Sequence, residues 1–435
     1  MHVIIENTVA LNTGDAAILV AIIDIVRETF GPDTRISVFD SAPEVAARHY
    51  PELQFHPLTT SFLSGTVRLF GRTWKTPLRR LLARAQQWAF RRAIASSLTG
   101  SEVRPSLLLS QGALDSLSLY RSADLVISTG GTYLVEHYKL RNRFEELYKD
   151  LLLGKPLVLF TQSLGPFRRA ENRKDMKAVA EGARLVLLRD AKSKQHLHDI
   201  GVDHDRLKVV SDSVFALARA AWITAPPARA AGQRLRVAVS VRRWTHYEGR
   251  DRSKGTETYE AAVAAAVSAL VRDKNAEIVF LSTCQGIPDY LYDDSQIADR
   301  ICARLDPDVR RAVSVDHGFH SPTALMETLR DFDFAISTRM HMAILGLCAG
   351  LPVLPIAYEF KTTELYRALG QSEWVTDISA IDSEAFATLA VRFSEHFSSF
   401  RQIVAPLVLE QAASARSAGR LIAERLSATM DIAPS

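Results

Sequence analysis

Phe334-Ala335-Ile336-Ser337-Thr338-Arg339-Met340-His341 begins as a short apolar run, turns polar at Ser337, and opens an apolar helix containing small residues. A buried strand that hands over to a helix through a polar loop is the repeating unit of an α/β protein with parallel strands. The unit recurs in both directions along the chain. Upstream, apolar runs at 236–241, 277–282 and 312–314 alternate with helical segments such as 258–273 and 322–331, and downstream another lies at 352–356. An earlier series at 2–6, 35–40, 125–128, 156–161, 185–189 and 207–210 reads the same way. A Pro/Ala-rich stretch with the Pro226-Pro227 pair separates the two series and has linker composition. The expected fold class is therefore α/β, with two Rossmann-like doubly wound lobes and an active site in the interlobe cleft. The expected domains are 1–224, a linker at 225–233, 234–382, and a helical, alanine-rich segment at 383–435.

The chain has 435 residues, 47% hydrophobic and 23% charged, which excludes a disordered or fibrous protein and accommodates two cores. Its net charge of +4 indicates no nucleic-acid partner. The charge is unevenly spread. Between residues 53 and 101 there are eight basic residues and no Asp or Glu, so elsewhere acids slightly outnumber bases. Within that stretch Leu78, Leu81, Leu82, Ala85, Trp88 and Ala89 share a face at helical spacing, and Arg79, Arg80, Arg84 and Arg91 lie mainly elsewhere. Two readings stand: a solvated helix packed on the first lobe, or an interfacial helix that holds residues 68–92 against anionic lipid. The three cysteines, Cys284, Cys302 and Cys348, match no metal or redox spacing, and a reducing, cytoplasmic location is expected. No signal peptide is expected at the amino terminus, and the uncharged stretch 342–358 is broken by Gly and Pro rather than membrane-spanning.

In open α/β sheets the loops at the carboxyl ends of strands carry the ligands, because helix amino termini there present free N–H groups. Asn12, Gly14 and Asp15 follow the first strand; Gly14 lets the backbone approach a ligand, while Asp15 either caps the helix or hydrogen-bonds to sugar hydroxyls. Gly130, Gly131 and Thr132 follow a buried strand, as does Gln162 before the Gly165-Pro166 turn. Together these loops outline a hydroxyl-rich rim for a polar ligand. In the second lobe Ser337, Arg339 and His341 pair a planar guanidinium with an imidazole able to pass a proton. Arg242 and Arg243, after the strand at 236–241, add cations that converge with Arg339 in a doubly wound sheet. The competing readings are solvated arginines and a salt-bridged Arg339 beside a structural His341.

In the order and spacing of these motifs the chain resembles the polysaccharide pyruvyl transferase family over residues 12 to about 361. Asn12, Gly14, Asp15, Gly130, Gly131, Thr132, Gly165, Pro166, Arg189-Asp190, Asp212-Ser213-Val214-Phe215 and above all Ser337, Arg339 and His341 carry the likeness. Asp212-Ser213 departs from the Asp-Pro often found there. The resemblance implies a GT-B-like fold and transfer of a pyruvyl group from phosphoenolpyruvate to a sugar, usually as a cyclic ketal. Such a donor carries a carboxylate and a phosphate, so Arg339 with Arg242 or Arg243 is expected to bind it. His341 belongs to the donor site by resemblance and is a candidate to contact the phosphate and serve as acid; Asp15, on the opposite lobe, is a candidate base or hydroxyl-orienting group. Asn12, Gly14, Asp15, Gly130, Gly131, Thr132 and Gln162 form the expected acceptor side, facing a glycan or lipid-linked oligosaccharide. No metal or other cofactor is required, since arginines offset the phosphate charge. The rival reading is a nucleotide-sugar glycosyltransferase using Glu359, and a third is a non-catalytic glycan-binding protein.

Overall fold

The structure, a computed structural model, describes residues 1–69, 72–75, 79–225, 232–249 and 251–430. Most of the expected linker, including Pro226-Pro227, lies outside the described residues. Sixteen strands are present among them: β1 (His2–Thr8), β2 (Arg35–Asp40), β3 (Phe55–Pro57), β4 (Thr66–Leu69), β5 (Arg72–Lys75), β6 (Leu125–Ser128), β7 (Gly131–Leu134), β8 (Leu157–Leu164), β9 (Leu185–Leu188), β10 (Leu207–Val209), β11 (Arg236–Ser240), β12 (Glu277–Phe280), β13 (Val313–Val315), β14 (Phe334–Ser337), β15 (Val353–Ala357) and β16 (Thr376–Asp377). Chain contacts divide the protein into two compact units.

The first unit comprises residues 1–10, 22–212 and the chain from Arg416 onward. Its sheet runs in the order β10-β9-β8-β6-β1-β2-β3, with β7 pairing off β8, and every pairing is parallel. β6, β8 and β9 are buried along their whole length, as strands covered by helices on both faces must be. The strand order reverses between β1 and β6, which places a ligand crevice outside Glu6 and Ser128. A β4–β5 antiparallel hairpin precedes the helix Arg79–Leu98. That helix seats Gln86, Phe90, Ala93, Ile94 and Ser97 in the core. Its buried face is thus not the Leu81/Trp88 face expected to pack on the lobe: Leu81 and Trp88 are 59% and 60% exposed.

The second unit comprises residues 11–21 and 213–415. Its sheet, β13-β12-β11-β14-β15-β16, is also parallel throughout and reverses between β11 and β14. Ser240 stands opposite Ser337 at that reversal. Helix Arg252–Lys274 is capped by Asp251, whose carboxylate accepts from Ser253 and Lys254, and helix Pro322–Leu329 is capped by Ser321. The expected boundaries differ at three places, the first being residues 213–224, expected in the first lobe and grouped with the second unit. The loop and first turns at 11–21 group with the second unit, and the closing helix Ser383–Met430 supplies residues to both.

Candidate functional site

The polar residues that end β11, β12, β13, β14 and β15 gather on one edge of the second unit's sheet, because all five strands point the same way. Arg339 is the N-cap of helix Met340–Cys348, and its own side chain makes no capping hydrogen bond. Its Nε and Nη2 donate to Asp294 Oδ2 and Oδ1 at 2.8 and 2.7 Å, a bidentate pair in which Asp294 is 1% exposed. Asp294 is held in turn by Ser282, whose Oγ donates to Oδ2 at 2.7 Å. Burial works against the arginine's charge, but Asp294 outweighs it and raises the Arg339 pKa well above its ordinary value. Ser337 Oγ donates to the Arg339 carbonyl at 2.8 Å, so this serine shapes the loop.

Arg242 lies with its guanidinium carbon 3.8 Å from the Tyr358 ring centroid and 5.1 Å from that of Trp244. Among the described residues it has no carboxylate partner, and the stack fixes its direction while leaving its charge uncompensated. Lys361 approaches the same tyrosine at 5.2 Å and pairs with Glu359 at 2.8 Å, which engages the carboxylate considered for ribose recognition. Burial raises the Tyr358 pKa, but Arg242 and Lys361 overcome this and leave the phenol more acidic than usual. Arg242 and Arg243 line an open cavity of about 710 Å³ with Trp244, Asp293, Asp294 and Tyr292. Cys284, behind this edge, is pushed up to about 12 by burial and stays a thiol.

Residues 12–15 were expected on the first lobe; they pack on the second unit instead. Thr13 donates its N–H to the Thr283 carbonyl at 2.9 Å and its hydroxyl to the His320 carbonyl at 2.7 Å. The His320 ring meets Asp316 at 2.7 Å. Gly14 lies so close to His341 that a Cβ built on it would stand 2.8 Å from the histidine Cβ and 2.9 Å from Nδ1. Only glycine permits this approach. The helix Thr13–Phe30 begins before Asp15, so the capping position belongs to Asn12, whose Oδ1 accepts from Gly14 N–H at 2.9 Å. Asp15 falls in the first helical turn, where the dipole favours a carboxylate.

The first unit carries a separate polar rim at its own strand reversal. Asn7, at φ 64°, donates to Glu6 Oε1 at 3.2 Å and Ser128 Oγ at 3.1 Å, and accepts from Arg143 at 2.8 Å. Ser128 and Tyr133 are hydroxyl partners at 2.6 Å; Gln162 donates to Tyr133 at 2.9 Å and to the Thr129 carbonyl. Gln162 Oε1 has no partner among the described residues. Gly131 adopts φ 119°, and Gly130 is buried beside it. Thr132 is engaged by Arg189, which donates to Thr132 Oγ1 at 2.5 Å, Ser163 Oγ at 2.7 Å and Asp212 Oδ2 at 2.6 Å. That explains the Arg189-Asp190 and Asp212-Ser213 motifs as scaffolding for this loop. Sequence reasoning missed Asn7, Tyr133, Arg143, Asp294 and Tyr358. Asn7 and Tyr358 each follow a strand's apolar run, the signal that identified the other loops.

A model of the family described as polysaccharide pyruvyl transferase matches residues 12–359. The amylovoran biosynthesis protein AmsJ of Erwinia amylovora is 24% identical over 389 residues, 87% of this chain and 88% of that protein. Among solved structures, a putative UDP-N-acetylglucosamine 2-epimerase from Listeria monocytogenes is similar with a TM-score of 0.56 at 13% identity, covering 99% of this chain and 96% of that one. Anabaena HepE in complex with UDP-glucose is similar with a TM-score of 0.55 at 12% identity, over 98% of this chain and 100% of that one. At such identities the likeness is one of fold, the GT-B-like arrangement of two Rossmann-like lobes.

Proposed function

The chain belongs to the polysaccharide pyruvyl transferase family, and from this membership we propose that it transfers the pyruvyl group of phosphoenolpyruvate to a sugar of a polysaccharide or its lipid-linked precursor, forming a pyruvate ketal. The convergence of Arg242, Arg339 and the amino end of helix Met340–Cys348 on one sheet edge carries this reading. A carboxylate and a phosphate on a three-carbon frame need two cations within a few ångströms. Arg339, oriented by Asp294, and Arg242, oriented by Tyr358, supply them; Arg243 adds charge at the mouth.

In the proposed reaction the methylene carbon of the enol accepts a proton from His341. A sugar hydroxyl oxygen then bonds to the central carbon as Asp15 takes the hydroxyl proton. A second hydroxyl displaces phosphate from the same carbon, closing the ketal, and its proton leaves with the phosphate. Donor, acid and base all belong to the second unit in this scheme. The arginines offset the charge of the departing phosphate, so no metal is required. The buried free cysteines suit a reducing, cytoplasmic setting. Incubation with phosphoenolpyruvate and a panel of free and lipid-linked glycans should release phosphate and add ketal-bound pyruvate to the acceptor, read by mass spectrometry. Absence of phosphoenolpyruvate binding by calorimetry, with no product across the panel, overturns the reading.

A further inference from the structure

The helix Arg79–Leu98 presents two unlike faces. One is buried through Phe90, Ala93 and Ile94. The opposite face carries Leu81 at 59% and Trp88 at 60% exposure, one helical heptad apart and so on the same stripe. Arg80, Arg84, Arg91 and Arg92 are exposed around them. Arg92 sits with its guanidinium carbon 5.5 Å from the Trp88 ring centroid, and Arg91 pairs with Glu145 yet stays half exposed. Arg68, Arg72 and Lys75 precede the helix, with no acidic residue between positions 53 and 101.

We propose that this outer face docks on an anionic lipid bilayer, with Leu81 and Trp88 entering the headgroup boundary and Arg80, Arg84, Arg91 and Arg92 meeting lipid phosphates. The physical grounds are independent of the transfer chemistry. An indole with a polar N–H on an apolar body partitions to the membrane interface, and arginine stems reach outward while covering apolar surface. Exposed Trp and Leu side chains flanked by arginines are what a helix lying in the interface plane presents. A protein partner of acidic surface would match the arginines but leave the central Trp88 and Leu81 without apolar complement. No helix among the described residues is long and apolar enough to cross a membrane, so attachment through this face is peripheral.

The test uses the full chain and vesicles of phosphatidylcholine with or without phosphatidylglycerol. Co-sedimentation is expected with the anionic vesicles, at least tenfold weaker with pure phosphatidylcholine, and falling as salt rises from about 0.05 to 0.5 M. Replacing Arg80, Arg84 and Arg92 together by Gln is expected to lower binding about a hundredfold, at roughly fivefold per arginine. Trp88→Ser is expected to lower it about tenfold and to abolish the part of the fluorescence quenched by brominated lipid. Phosphate release with a soluble acceptor stays at the wild-type level in both variants, which separates this proposal from the reading of the reaction. Lack of binding to anionic vesicles, binding indifferent to salt, wild-type binding by both variants, or self-association through this face in place of vesicle binding each overturns it.

Discussion

Arg339 reaches the proposed anion site with Nε and Nη2 already committed to Asp294, which leaves Nη1 to meet a ligand. The competing readings of Arg339, ligand arginine or salt-bridged arginine, are therefore not exclusive: the salt bridge is what holds the guanidinium plane in place. Removing one member of such a pair strands a buried charge. Asp294→Ala is expected to lower the unfolding free energy by about 3–5 kcal/mol, measured by urea denaturation. Arg339→Met combined with Asp294→Ala should cost clearly less than the two single losses added, while losing phosphoenolpyruvate binding altogether. Strict additivity in that cycle would mean the pair does not function as a unit.

At the scale of elements, the strand–loop–helix handovers were legible because parallel strands buried on both faces read as apolar runs, and their polar ends stand out. The runs at 125–128 and 334–337 coincide with β6 and β14. Other features follow from pairing partners distant in sequence: β7 forms only against β8, and β16 only against β15. The helix at 79–98 shows why periodicity alone misassigns a face. Leu81 and Trp88 make an apolar stripe as convincing as that of Phe90 and Ile94, and only the core decides which one is inside. Residues 12–15 follow the first unit's opening strand yet group with the second, since Thr13 bonds to Thr283 and His320 and Gly14 abuts His341. Gly14→Ala tests that contact. The added methyl must displace the His341 side chain, and a shift near 1 Å at a reacting group costs about a hundredfold in turnover. Turnover is expected to fall by that order with phosphoenolpyruvate affinity within severalfold of wild type; unchanged turnover would remove His341 from the proposed chemistry.

For the molecule as a whole, stability is expected to vary with pH through a charge cluster in the first unit that no motif announces. Lys149 Nζ lies 2.5 Å from Asp150, 3.1 Å from Glu6 and 3.9 Å from Glu146, all buried, and Tyr120 donates to Glu6 at 2.6 Å. One ammonium cannot balance three carboxylates in a dry core. Burial and the Glu6 charge push Asp150 well above the carboxylate range, and burial raises Glu146 against the pull of Lys149. A carboxyl raised in the folded chain keeps a proton that the unfolded chain has released, so its contribution to stability falls as pH rises from about 4 through the folded value. Thermal melts are expected to show this decline, and Asp150→Asn to flatten it; an unaltered slope would clear Asp150 of the effect. The α/β class, the two parallel-sheet series and the loops that carry polar chemistry are legible along the chain, because they are local consequences of apolar runs and strand-end residue types. Only the tertiary structure decided that Asp294 orients Arg339, that Tyr358 orients Arg242, and that Gly14 serves His341. Those contacts join residues tens to hundreds of positions apart, and their geometry exists only once the chain has packed.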